Sequence, residues 1–415
     1  MRNATNNGVR PTDELWVKSL VARSVLRAAD AMTAPGVSPS ARLGVLMECH
    51  GALLAARGPG SELSFADFRR QVRGDPSRLL PEGVPGWDVD ELRAVDADGH
   101  VTEDAFDIAA EQRLVLRILQ KDGRGAGLLS GQDLDDEVAQ ETAFAQLCKA
   151  GNQKVYESGR TDLIRYPAGP VSELSELRLP PLVADLYEDI PYASRYRGWW
   201  FACPVCRWPM RVALRREAGQ QIGVVACWHT PHQEMGATYR FRPVEGIVPP
   251  ELLPEPPPPP PDEREAVLWP DLEYVPEAKP VEGHKALVRG VWRYTCVPGL
   301  AELALRDRLV ERGLKVELWP ALDAYDLCVH VGRKRARKKE PVRVDVKDYT
   351  SGTALAQLIH AQEGDSGGAE WLVVPDHRAS QVHLLSGVGA KYGLKVATAS
   401  EFGEMVCERS GVAWS

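Results

Sequence analysis

The stretch VRVDVKDY, residues 342 to 349, alternates Val342, Val344 and Val346 with Arg343, Asp345 and Lys347. That period of two buries the valines on one strand face and leaves Asp345 and Lys347 together on the other, about 7 Å apart at their Cα atoms. A second strand-like run, YDLCVHVG (325 to 332), carries Asp326. A hairpin with Val331 opposite Val342 sets Asp326 opposite Lys347 and lets Asp326 and Asp345 converge at one end of the strands. Two carboxylates can hold a hard divalent cation, usually Mg²⁺, with water positions left open. Such an ion polarises a phosphodiester and lowers the pKa of a bound water. A neighbouring lysine orients that water and offsets charge in the transition state. Glu302 could supply another carboxylate from the helix-like PGLAELALRDRLVERG (298 to 313), although a plain surface position accounts for it somewhat better. The tripeptide D-x-K alone is common, so its flanks must decide.

A second group of residues has metal-ligand spacing. WWFACPVCRWPM gives the knuckle Cys203-Pro204-Val205-Cys206, and VVACWHTPHQ follows with Cys227, His229 and His232. Three thiolates and one imidazole suit a tetrahedral Zn²⁺ with no open position, which makes the site structural. The fourth ligand is His229 or His232. In an extended segment C-x-H points His229 away from Cys227, whereas C-x4-H leaves room for a turn through Thr230-Pro231, which favours His232. Cys49, Cys148, Cys296, Cys328 and Cys407 are scattered among apolar residues and read as packing residues.

These groups need elements to position them. Residues 13 to about 190 carry apolar residues at helical spacing in 15–30, 41–58 and 104–121, and two more helices are expected before Asp189. Strand-like, aromatic sequence follows from 195 to 245. PEPPPPPPDE, Pro254 to Glu263, reads as a stiff polyproline II spacer that stays out of any packed core. Beyond it the order is helix (298–313), three strands, helix (353–362), strand (371–376), helix and a last strand. The expected fold is therefore multidomain. It has an α-helical N-terminal scaffold or docking domain (1–190), a small β-rich zinc ribbon (191–250), a proline-rich linker (251–281) and a C-terminal α/β domain (282–415).

With 415 residues, 44% hydrophobic and 26% charged, the composition is that of a globular protein with room for more than one core. The sequence lacks an 18-residue apolar run and an apolar leader, so neither a membrane span nor a signal peptide is expected, and a cytoplasmic setting follows. The net charge of −8 is uneven: from Val281 onward 19 Lys+Arg stand against 17 Asp+Glu, leaving −10 for the rest. Arg333, Lys334, Arg335, Arg337, Lys338 and Lys339 place six positive charges in seven residues between the two carboxylate strands. They are either a solvated hairpin tip or a grip on a phosphate backbone, a contact blind to sequence and sensitive to salt.

In this order of elements, Asp326 followed by Asp345-Val346-Lys347 resembles the PD-(D/E)xK, restriction-endonuclease-like nuclease superfamily over roughly residues 285 to 400. Tyr325 stands where the family name expects proline, a variable position. Gln357 stands where many members carry an auxiliary polar residue, though an exposed helical glutamine is the plainer account. The combination of helical N-terminus, ribbon, GVWRYTCVPGL (290 to 300) and nuclease motif looks more closely like the nuclease partner of prokaryotic PIWI-RE defence islands. That resemblance implies a Mg²⁺-dependent endonuclease acting on DNA or an RNA–DNA hybrid, working with a PIWI-type protein and a helicase. A non-cleaving nucleic-acid-binding or scaffold subunit is the alternative, and the intact Asp326, Asp345 and Lys347 speak against it.

Overall fold

The computed structural model describes residues 11–34, 36–89, 91–119, 131–149, 151–256, 258–272, 274–332 and 339–415. By contact density the protein forms two units. One comprises Met1–Ser130 with Tyr349–Gln362, the other Gly131–Asp348 with Glu363–Ser415. Among the described residues no helix is long and apolar enough to cross a membrane.

The first unit is helical, as its periodicity implies. Pro11–Thr33, Pro39–Arg57, Phe65–Arg73 and Glu103–Leu119 are its main helices. Ser38 and Ser64 open two of them, each hydroxyl accepting a hydrogen bond from the third helical amide, and Gly58 (φ 81°) ends the second in a conformation that favours glycine. Val21, Val25, Leu26, Leu46, Leu53, Phe68 and Ile108 form its core. The helix Gly352–Ala361 belongs to this unit. Its start is fixed by carboxylates: Glu111 accepts from the amides of Thr350 (2.7 Å) and Ser351 (2.9 Å), and Asp88 accepts from the amide of Thr353 (2.7 Å). Unpaired amides at a helix start favour acceptors of this kind.

The second unit is built around a five-stranded mixed sheet. Its strands are β1 (Lys315–Leu318), β2 (Leu327–Val331), β3 (Glu340–Val346), β4 (Trp371–Val374) and β5 (Lys395–Thr398), side by side in that order. The first two pairings are antiparallel and the last two parallel. Connectivity explains the change: β1, β2 and β3 follow one another with few residues between them, whereas a parallel neighbour requires a long crossover, usually a helix. Val329 pairs with Val342 and Leu327 with Val344. This register is two residues from the expected hairpin, and continuing it puts Asp326 level with Asp345 instead of Lys347. The valine period fixes which face is buried, and both registers satisfy it, so the pattern alone could not separate them. The last helix, Ala399–Ser410, opens with a reciprocal capping box between Thr398 and Glu401.

Four segments therefore become two units, with boundaries that the composition does not mark. The helices Gly131–Cys148 and Gln153–Arg165, expected in the N-terminal helical domain, pack in the same core as the sheet. So does the cysteine-bearing segment, whose strands Arg211–Glu217, Gln220–Ala226, Thr238–Phe241 and Leu253–Pro254 form an antiparallel sheet. Gly223 is required there, because a Cβ would lie 2.1 Å from the Phe241 ring. Trp208 stacks on Trp292 (4.2 Å, 10°) and its indole donates to the Leu287 carbonyl (2.8 Å), tying this segment to the helix that leads into the sheet. The described prolines of the run stay out of the core, but Val267, Leu268, Val275 and Ala278 just after them pack against that core. Apolar residues beyond the prolines hold the linker down.

Candidate functional site

The carboxyl-bearing end of β2 and β3 gathers the residues singled out in the sequence. Asp326 precedes β2, and its backbone amide donates to the Val344 carbonyl (3.1 Å). Its carboxylate turns back to accept from the Val346 amide (2.6 Å), so Asp326 is held across the two strands. Lys347 donates from Nζ to Asp345 Oδ1 (2.7 Å). Asp326 and Asp345 are 6% and 7% exposed, whereas the Lys347 side chain keeps a third of its surface open. Along that face Asp345 is covered, while Arg343 and Lys347 stay partly open.

Glu302 is no surface residue. It is 2% exposed and accepts from the Trp319 indole nitrogen and from the Arg160 guanidinium (3.1 Å). Arg160 also pairs with Asp323 (2.5 Å), lies 4.0 Å from Asp326 and stacks its guanidinium over the Trp319 ring at 4.5 Å. Burial raises the Asp326 carboxyl well above the ordinary range, reinforced by Glu302 and Asp345, against the pull of Lys347 and Arg160. Burial likewise raises Glu302, opposed first by Arg160. Glu302, Asp323, Asp326 and Asp345 thus crowd around one arginine and one lysine.

Arg160 was missed because nothing around it in the sequence marks it. It belongs to Gln153–Arg165, and 142 positions separate it from Glu302. Gln153 on the same helix holds the segment that bears Trp319: it donates to the carbonyls of Leu318 (3.0 Å) and Trp319 (2.8 Å) and accepts from the Leu322 amide (3.0 Å). Trp319, Ala321, Leu322 and Asp323 all have φ between 45° and 78°. Left-handed backbone costs a non-glycine residue about 1–2 kcal/mol, so this turn exists only because its surroundings fix it.

The second gathering is the cysteine segment. Cys203, Cys206, Cys227 and His232 are all buried, with one potential ligand atom from each lying within 4.8 Å of the others. Cys206 Sγ is 3.8 Å from Cys227 Sγ, and Cys227 Sγ is 3.5 Å from His232 Nδ1. The knuckle turns because the Arg207 amide donates to the Cys203 carbonyl (2.8 Å) and Arg207 takes a left-handed φ of 60°. Thr230–Glu234 is a short helix with Pro231 in its first turn, and it swings His232 back to the thiols. His229 points elsewhere, towards Asp348. Cys49, Cys296, Cys328 and Cys407 are buried and Cys148 partly so, as packing residues should be.

Arg333, Lys334, Arg335, Arg337 and Lys338 lie outside the described residues, and Lys339 is half-buried immediately before β3. Gln357 is half-buried on the helix Gly352–Ala361 of the first unit.

Neither a curated protein nor a solved structure matches this sequence. Residues 299–414, which run from the Glu302 helix through all five sheet strands, match the family model described as REase associating with pPIWI_RE. This stretch is therefore similar to a restriction-endonuclease-like family whose name couples it to pPIWI-RE proteins.

Proposed function

We propose that the second unit is a Mg²⁺-dependent endonuclease of the PD-(D/E)xK type that cuts DNA, or DNA paired with RNA, alongside a PIWI-type protein and a helicase. The observation that carries the reading is the meeting of Asp326, Asp345, Lys347 and Glu302 at one sheet end, inside the stretch that resembles the family. Crowded carboxylates fit a divalent cation, which would relieve the repulsion that burial intensifies. Asp326 and Asp345 would hold it, and when bound it would supply Lewis acidity and a water of lowered pKa. Lys347, fixed by Asp345 yet partly open to solvent, can place its ammonium against a phosphate oxygen and offset developing charge. Arg160 and Trp319 fix the Glu302 carboxylate. Arg333, Lys334, Arg335, Arg337, Lys338 and Lys339, next to β2 and β3 in the sequence, would bind the phosphate backbone.

The cysteine cluster fits a structural Zn²⁺. Tetrahedral zinc with ordinary bond lengths requires Sγ–Sγ separations of about 3.8 Å and Sγ–N separations of about 3.5 Å. Both separations found, 3.8 Å and 3.5 Å, agree. Cys203, Cys206, Cys227 and His232 would hold the ion and fill all four positions.

A non-cleaving subunit is the second reading, favoured by the closure of Arg160 on Glu302, which leaves that carboxylate no free oxygen. Plasmid cleavage in Mg²⁺, with the PIWI-type protein and helicase supplied, separates the two. Cleavage by the wild type that EDTA stops supports the nuclease. Its absence under those conditions assigns the second reading.

A further inference from the structure

Three side chains outside both sites meet at the carboxyl ends of β3 and β4. Asp348 follows β3, His377 follows β4, and His229 precedes the short helix of the cysteine segment. One potential ligand atom from each lies within 4.8 Å of the others. His229 Nε2 is 3.7 Å from Asp348 Oδ2, and His377 Nε2 is 3.3 Å from Asp348 Oδ1. His229 is 1% exposed, and neither of its ring nitrogens has a hydrogen-bond partner.

That last fact needs an explanation. A buried polar atom left unpaired costs about 1–3 kcal/mol, and here both nitrogens of one imidazole are left so. A ring packed merely for its bulk would be better as an apolar side group. An imidazole nitrogen and a carboxylate oxygen that share one tetrahedral ion lie about 3.4 Å apart, close to the 3.7 Å between His229 and Asp348.

We propose that His229, Asp348 and His377 form a second metal site, distinct from the cysteine cluster and from the Asp326–Asp345 pair, that takes a divalent first-row transition ion such as Zn²⁺ or Co²⁺. Two imidazoles and one carboxylate select such ions over Mg²⁺. Arg378 donates to Asp348 Oδ1 (2.9 Å), the oxygen that also lies within hydrogen-bond reach of His377 Nε2 (3.3 Å), and Oδ2 faces His229 (3.7 Å). Hydrogen bonds to a metal-binding carboxylate orient it. Asp376 accepts from the Ser400 amide (3.0 Å) and hydroxyl (2.7 Å), which fixes the turn that carries His377.

The ion would join the cysteine segment to the sheet, since His229 comes from one and Asp348 and His377 from the other. Its fourth position would open on a cavity of about 680 Å³ that Asp348 and His377 help to line. With a single anionic ligand, and with Arg378 and Arg293 acting on Asp348, the site binds more weakly than three thiolates and fills second.

Cobalt binding tests this. The full-length protein with Asp345→Ala, which removes one carboxylate of the nuclease pair, is titrated with Co²⁺ and the bound ion counted by equilibrium dialysis. Absorbance in the thiolate-to-cobalt region follows the cysteine cluster separately. Adding His377→Ala should lower the stoichiometry by one equivalent, without loss of the thiolate signal, which also shows that the segment still folds. Asp348→Asn should weaken the same equivalent by at least about a hundredfold. Equal stoichiometry with and without His377 overturns the proposal. The count does not depend on cleavage, so it stands or falls apart from the nuclease reading.

Discussion

The cysteine cluster and the acid cluster bring four key side chains together in opposite ways. Cys203 and Cys206 share one turn, and Cys227 and His232 share another. The acid cluster draws Glu302 from a helix, Asp345 from a strand, Asp326 from just before the neighbouring strand, and Arg160 from a helix 142 positions from Glu302. Spacing encodes the first almost by itself, because a knuckle and a short helix are local devices. The second depends on sheet register and on a helix that belongs to no motif. The lesson is physical: three thiols and an imidazole can be brought together by two turns, whereas buried carboxylates need counter-charges that only packing supplies.

The sharpest way to break this comparison is Asp345→Ala. Cleavage should fall by at least about a hundredfold while the thermal midpoint stays near wild type, because removing one carboxylate relieves repulsion. Mg²⁺-dependent cleavage retained by the pure variant would remove the acid cluster from the chemistry altogether.

Arg160→Ala comes next. It leaves Glu302 buried without its cation and should destabilise the second unit by about 3–5 kcal/mol in denaturant unfolding. The double variant Arg160→Met with Glu302→Leu should recover much of that loss, as replacement of a buried pair by packed apolar groups often does. If Arg160→Ala alone costs less than about 1 kcal/mol, the distant helix is not what holds the acid cluster.

Two histidine variants sharpen the local half. His232→Ala should weaken zinc binding by more than about a hundredfold, and His229→Ala should leave the cysteine-bound zinc in place. Metal analysis after dialysis against a chelator reads both. The reverse result would mean that the short helix does not set the fourth ligand.

The smallest effect is expected from the basic run. Neutralising Arg333, Lys334, Arg335, Arg337, Lys338 and Lys339 should flatten the log–log salt dependence of duplex DNA binding by about 0.9 for each phosphate that the protein no longer neutralises. A slope that does not change makes this segment a solvated tip.

By itself the sequence determined the helical N-terminal elements, the order of the main helices and strands from Pro298 to the strand Lys395–Thr398 though not the helix Ala399–Ser410 after it, and the grouping of Cys203 and Cys206 with Cys227. Each rests on a short-range period or spacing that any fold of this protein must honour. Even the preference for His232 came from turn geometry within five residues of Cys227. Only the tertiary structure decided the rest. It chose the register that sets Asp326 level with Asp345, since the valine period permits slips of two. It buried Glu302, which helical spacing alone leaves at the surface. It placed the helix after β3 with the N-terminal helices, where Glu111 and Asp88 satisfy its free amides. Arg160, Gln153 and the His229–Asp348–His377 group arise from contacts between segments far apart in sequence, and such contacts leave no periodic trace because no local hydrogen bond or face pattern requires them.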